Sequence, residues 1–122
     1  DYLSLVGVKQ ILKTLRGVQQ RLRHPITVMG VVPTFYDVRN RISHEVLRTL
    51  RRYFTDKVFT PIRINTRLKE APSKQKTIFE YAPRSAGAQD YGLLVSKVID
   101  TLERSPRSPS RATTPTFHLD GS

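Results

Sequence analysis

The chain has 122 residues, enough for one small domain or a piece of a larger one. Its 21 Lys and Arg against 10 Asp and Glu leave a net charge of +11, and a globular part this basic points to a polyanionic partner such as nucleic acid. There is no Cys, so disulfides and thiolate metal sites are excluded; His24, His44 and His118 lack ligand spacing, so no metal is expected; and no apolar run approaches the roughly 20 residues that span a bilayer.

In chain order, residues 3–22 read as an amphipathic helix, with Val8, Ile11, Leu12, Leu15, Val18 and Leu22 at helical spacing and His24-Pro25 as its stop. Residues 26–32 are apolar and β-branched, as in a strand buried on both faces. Pro33 and residues 37–41 read as a loop, and Ser43 as the N-cap of a second helix. That helix is expected to bury Val46, Leu47, Leu50, Tyr53 and Phe54 and to show Arg48, Arg51 and Arg52 on its outer face. Residues 57–64 form a second candidate strand, with Pro61 implying an edge or a bend. Residues 65–77 read as a polar loop, 78–81 as a brief extended piece, and 86–104 as a third helix with Tyr91, Leu94, Val95, Val98, Ile99 and Leu102 turned inward. Residues 105–122 are Ser/Pro-rich and read as a disordered tail.

Strands alternating with helices predict an α/β fold, a parallel sheet with helices on its faces. Two strands alone make a poor sheet, and the chain opens on Asp1 rather than Met, so a piece of a larger domain is expected, marginally stable and prone to association on its own. The start lacks the basic-then-apolar layout of a secretory signal, which makes a cytoplasmic protein the default.

None of the six glycines sits in a G-x-x-x-x-G-K-S/T phosphate loop, and no Ser-His-Asp or paired-carboxylate set stands out, so the chain carries no catalytic constellation of its own. The informative stretches are the loops after the two strands, 33–41 and 62–73, both basic and both at the strand ends where open parallel sheets bind ligands.

The run Arg67-Leu68-Lys69-Glu70-Ala71-Pro72-Ser73, then Ile78-Phe79-Glu80-Tyr81, then Arg84-Ser85-Ala86-Gly87-Ala88-Gln89-Asp90-Tyr91, resembles the C-terminal signature of ParA-type partitioning ATPases of the MinD/ParA superfamily. The opening Asp1-Tyr2-Leu3-Ser4-Leu5-Val6-Gly7 and the loop Pro33 to Arg41 fit the same pattern in the same order, so the resemblance covers about residues 1–103. It implies that 1–104 are the C-terminal part of a deviant-Walker P-loop NTPase domain whose phosphate loop and Mg²⁺ ligands lie N-terminal to this stretch. It further implies ATP with Mg²⁺ in the complete parent, a nucleotide-sandwich homodimer, non-specific double-stranded DNA and a ParB-type centromere-binding protein as partners, and a nucleoid-associated location. Without the Walker A loop the chain is expected to be inactive alone.

The same resemblance puts DNA-contacting arginines at Arg39 and Arg67, where a guanidinium can fork onto phosphate oxygens; the bland alternatives are ion pairs with Asp37 and Glu70. It puts adenine packing at residues 62–65. Family members often show Ile-Pro-Arg-Asn there, and this chain has Ile62-Arg63-Ile64-Asn65. Asn65 can read an adenine edge or cap its own turn, while Arg63 stands in for the proline with a stem able to stack on the ring. Two other readings stand beside the partitioning ATPase: a truncated, non-catalytic paralogue that binds DNA or a partner, and a MinD-like membrane-associated relative, which a Ser/Pro-rich end with a lone Phe117 and Leu119 disfavours.

Overall fold

The computed structural model describes residues 2–23 and 25–104, with side-chain surroundings from residue 6 onward; the tail reading for 105–122 lies outside the described residues. Among the described residues five α-helices follow one another, α1 Tyr2–Arg21, α2 Arg41–Phe54, α3 Thr66–Ser73, α4 Ile78–Tyr81 and α5 Ala86–Arg104, with a 3-10 turn at Thr55–Lys57. Between α1 and α2, and again between the 3-10 turn and α3, the chain is extended.

The expected parallel sheet flanked by helices is not formed. Among the described residues the extended segments make two isolated parallel bridges, Val31 with Val58 and Tyr36 with Arg63, and no strand. The cause lies in two prolines. Val31 donates to the Lys57 carbonyl at 2.8 Å and accepts from Phe59 N–H at 2.9 Å, the start of a regular parallel ladder. Its next rung needs an N–H from Pro33 and another from Pro61, and neither residue has one. The ladder changes phase instead, at unchanged register: Ile62 N–H donates to the Pro33 carbonyl at 2.8 Å, and pairing resumes through Tyr36 N–H to the Ile62 carbonyl and Ile64 N–H to the Tyr36 carbonyl, both 3.0 Å. Among the described residues no third segment joins, and residues 78–81, expected to be extended, are helical. Thr77 and Glu80 form a reciprocal capping box there, each side chain accepting the other's backbone N–H. Nor are residues 26–32 buried on both faces; Thr27 and Met29 are exposed and the others are half-buried.

Two small apolar clusters hold the elements. Leu12 of α1 meets Leu50 and Phe54 of α2, flanked by Val8, Leu15, Val28, Val31, Val46 and Val58. Ala71, Ile78 and Ala88 form the second, from α3, α4 and α5, with Leu68, Tyr81 and Ala82 around it. Close approach matters at Gly30, where a Cβ would strike the Phe59 ring at Cζ, with Cε1 and Cε2 at 2.6 and 2.7 Å. Phe59 is buried and has nowhere to retreat. Gly30→Ala is therefore expected to cost about 1–3 kcal/mol by overpacking, read as a lower urea midpoint at unchanged slope.

The caps differ from the sequence reading. Asn40, not Ser43, caps α2, its side chain accepting Ile42 N–H at 2.8 Å, and Ser43 instead accepts Asp37 N–H at 3.4 Å. Within α2, Leu47, Leu50 and Phe54 are buried as expected, Val46 is half-buried and Tyr53 is exposed. On α5 the deepest positions are Gly87, Ala88 and Asp90. Tyr91, Leu94 and Val98 are half-buried, whereas Val95, Ile99 and Leu102, expected inward, are 48%, 50% and 55% exposed. The helix outruns the short α3–α4 pair beneath it, so its C-terminal half lacks a facing element among the described residues.

Candidate nucleic-acid interface

The Tyr36–Arg63 bridge fixes where the two basic loops begin. Both segments run the same way, so the chain beyond Tyr36 and the chain beyond Arg63 leave from one end of the pair, carrying Arg39 and Arg67 respectively.

The first loop turns at Phe35, a non-glycine residue held at φ 53° with its ring exposed. Tyr36 and His44 then tie it to α2. His44 Nε2 lies 2.7 Å from the Val38 carbonyl, which can only accept, so this nitrogen carries the hydrogen. In the neutral ring Nδ1 then accepts the Tyr36 hydroxyl at 2.8 Å, with the two rings edge to face at 5.5 Å. Asp37 Oδ1 accepts the Arg39 backbone N–H at 3.0 Å and its Nε at 3.3 Å. These bonds, backbone first, hold the Asp37 carboxyl below its usual range. Arg39 itself projects into solvent, its side chain 87% exposed.

The second loop is shorter than the sequence implies, because residues 66–73 are helix α3. Asn65 supplies the N-cap: its Oδ1 accepts Arg67 N–H at 2.9 Å. Pro72 sits in the last turn, where its missing N–H forfeits only one helical bond. Arg67 Nη1 reaches Glu70 Oε2 at 3.0 Å, and the Tyr81 hydroxyl donates to the same oxygen at 2.7 Å. The Tyr81 bond first, then Arg67, keeps the Glu70 carboxyl below its usual range, while Glu70 raises the tyrosine.

Arg63 has its guanidinium engaged by α5. Its Nε and Nη2 grip Asp90 Oδ2 and Oδ1 at 3.0 and 2.9 Å, its backbone N–H donates to Oδ2 at 2.9 Å, and Nη2 also reaches Gln89 at 3.4 Å. Asp90 is buried at 4% exposure. Burial pushes its carboxyl upward, but the side-chain and backbone hydrogen bonds from Arg63, with its charge, outweigh that and leave it below the usual range. Asp90 escaped the sequence reading. Its signal was a carboxylate at i+3 from Gly87 and one turn before Leu94, on the helix stripe that faces inward, where a charge implies a cationic partner.

The arrangement starts the segments bearing Arg39 and Arg67 from one end of the paired stretch, engages Arg63 with Asp90 of α5, and uses one lone pair of Asn65 Oδ1 in a cap. Toward a base edge Asn65 keeps Nδ2 and the second lone pair of Oδ1. Among the described residues no group of three His, Cys, Asp or Glu converges to hold a cation, and no phosphate loop occurs in the sequence. No described helix is long and apolar enough to cross a membrane.

The relatives of this chain are longer than the chain itself. The chain is 41% identical over 99 residues to the sporulation initiation inhibitor protein Soj of Bacillus subtilis, covering 80% of this chain and 39% of that protein. It is 39% identical over 106 residues to the chromosome-partitioning ATPase Soj of Thermus thermophilus, 86% of this chain and 43% of the relative. It is 37% identical over 100 residues to the chromosome partitioning protein ParA of Caulobacter vibrioides, 81% of this chain and 38% of the relative. No family model matches. The chain belongs to the Soj/ParA family of chromosome-partitioning proteins, and it spans about two fifths of the length of these relatives.

Proposed function

We propose that this chain serves an ATP-dependent chromosome- or plasmid-partitioning protein by supplying a non-specific double-stranded DNA surface, with Arg39 and Arg67 as its phosphate contacts. The observation that carries the reading is the Tyr36–Arg63 bridge, which starts the Arg39 loop and the lead into the Arg67 helix from the same end of the paired segments. The net charge of +11 supports it, since phosphate neutralisation supplies most of non-specific affinity. ATP with Mg²⁺ belongs to the longer protein, where Asn65 Nδ2 is the contact offered to the base. A ParB-type protein, a homodimer partner and a nucleoid-associated, cytoplasmic location complete the proposal.

A second reading, a DNA-binding paralogue that needs no nucleotide, is favoured by Arg63, which is committed to Asp90 rather than free to stack on a base. Both readings make the same prediction for the surface. For the 122-residue chain on a short duplex, log K should fall linearly with log salt at a similar slope for any sequence, and Arg39→Ala with Arg67→Ala should make that slope shallower by about 1.8. An unchanged slope would place the surface elsewhere on the chain. Binding that appears only when ATP is added to the longer protein separates the ATPase reading from the paralogue.

A further inference from the structure

We propose that Tyr81 and Glu70 form a bracket that positions Arg67, so that its guanidinium offers a fixed donor edge to a backbone phosphate of duplex DNA. The proposal rests on the reading of Arg67 as a DNA contact and adds the two residues that aim it.

An i,i+3 pair on an exposed helix is ordinarily a weak device, worth a few tenths of a kcal/mol, with both side chains free to leave. What sets Arg67–Glu70 apart is a third group from another element. The Tyr81 hydroxyl, 2.7 Å from Glu70 Oε2, holds the carboxylate oxygen that also accepts Arg67 Nη1 at 3.0 Å. Tyr81 is itself fixed. Its ring packs against the Ala71, Ile78 and Ala88 cluster, and α4 is pinned by the Thr77–Glu80 capping box. The Arg67 backbone is fixed from the other side by the Asn65 cap. Glu70 therefore has an anchor outside its own helix.

The geometry also leaves the right donors. A guanidinium has five N–H groups, and the bracket engages it through Nη1. The Nε–Nη2 edge, which forks onto two phosphate oxygens, stays available. Arg39 differs, because its Nε is spent on Asp37. The hydrogen bonds that lower the Glu70 carboxyl keep it ionised across neutral pH, so the bracket persists there.

The test uses the full 122-residue chain with ¹⁵N-labelled arginine. In the wild type, rotation of the Arg67 guanidinium should be slow, and Tyr81→Phe, which leaves the net charge unchanged, should speed it to the rate seen for arginines of the outer face of α2. Glu70→Gln, isosteric and at another position, should do the same and covers the case in which Tyr81→Phe fails to fold. Against duplex DNA at fixed salt, Tyr81→Phe should weaken binding about threefold to tenfold, equivalent to roughly 0.7–1.4 kcal/mol. It should change nothing further in an Arg67→Ala background. Free rotation of Arg67 in the wild type, or an equal loss from Tyr81→Phe with and without Arg67, overturns the proposal. A wild-type chain that shows slow Arg67 rotation but no salt-dependent DNA binding overturns the DNA reading instead, and the two failures are thereby distinguished.

Discussion

Arg63→Met should destabilise the chain by about 3 kcal/mol, and Asp90→Ala by about 1–2 kcal/mol, although each removes one half of the same pair. The asymmetry follows from burial. Asp90 has a side-chain exposure of 5% and Arg63 of 42%. Without the guanidinium, a buried carboxylate keeps only the backbone N–H of residue 63 and cannot recover its lost solvation. Without the carboxylate, the half-exposed guanidinium turns into water and the cost is the net value of the lost hydrogen bonds. Urea midpoints at constant slope measure both. The pair also sets an acid limit. A carboxyl whose folded pKa lies below its unfolded value contributes stability above the unfolded pKa, and that stability is lost as pH falls through the folded one. For the wild type this loss falls below about pH 4. In Arg63→Met, burial acts with less opposition and the carboxyl rises, so protonation relieves the buried charge and the stability gap to the wild type should narrow as pH falls through about 4. Equal costs for the two variants, or a gap that does not narrow in acid, would show that the pair does not hold this corner of the molecule.

Phe54→Ala should cost about 3–5 kcal/mol, a large share of the stability of a domain this size. Phe54 is 2% exposed at the end of α2 and shares one cluster with Leu12 and Leu50, with valines of both extended segments around it. The cluster therefore joins four elements, and among the described residues of α1 Leu12 is the buried one. Removing the ring opens a cavity that the surrounding valines, stiff at χ1, fill badly. The expected result is a lower thermal midpoint together with early loss of amide protection in α1, measured by hydrogen exchange. Protection that falls evenly along the chain would mean that α1 is held by something other than this cluster.

The helices were legible where periodicity spoke. Residues 3–22, the stretch after residue 40 and residues 86–104 all carry apolar positions at helical spacing and are α1, α2 and α5. The interrupted sheet was not legible, because each proline alone suggests an edge or a loop. Only the register, a non-local fact, puts Pro33 and Pro61 on one rung. Helix α3 was hidden by polar composition and by Pro72, though Asn65 as its cap is an ordinary signal. Helix α4 was readable in Thr77-x-x-Glu80, a capping box mistaken for part of a loop and an extended piece. At the candidate interface Arg39 lies in a loop as the sequence reads, whereas Arg67, read as part of a loop, lies in the first turn of α3. The carboxylates that hold Arg39 and Arg67 stand two and three residues away and were foreseen as alternatives. The partners that hold those groups in turn, Tyr81 above all, come from another element and carry no local signature.

The opposed prolines also bear on what the chain does at high concentration. An uncovered extended segment offers its unpaired N–H and C=O row as a seed onto which a strand from another molecule can zip, the first step of cross-β growth. Here the missing donors sit on the row that faces the other segment, since Pro33 and Pro61 would complete the rung after Val31–Val58. A second molecule therefore meets an extended run interrupted between two single bridges rather than one continuous paired strand, a poorer template for such growth.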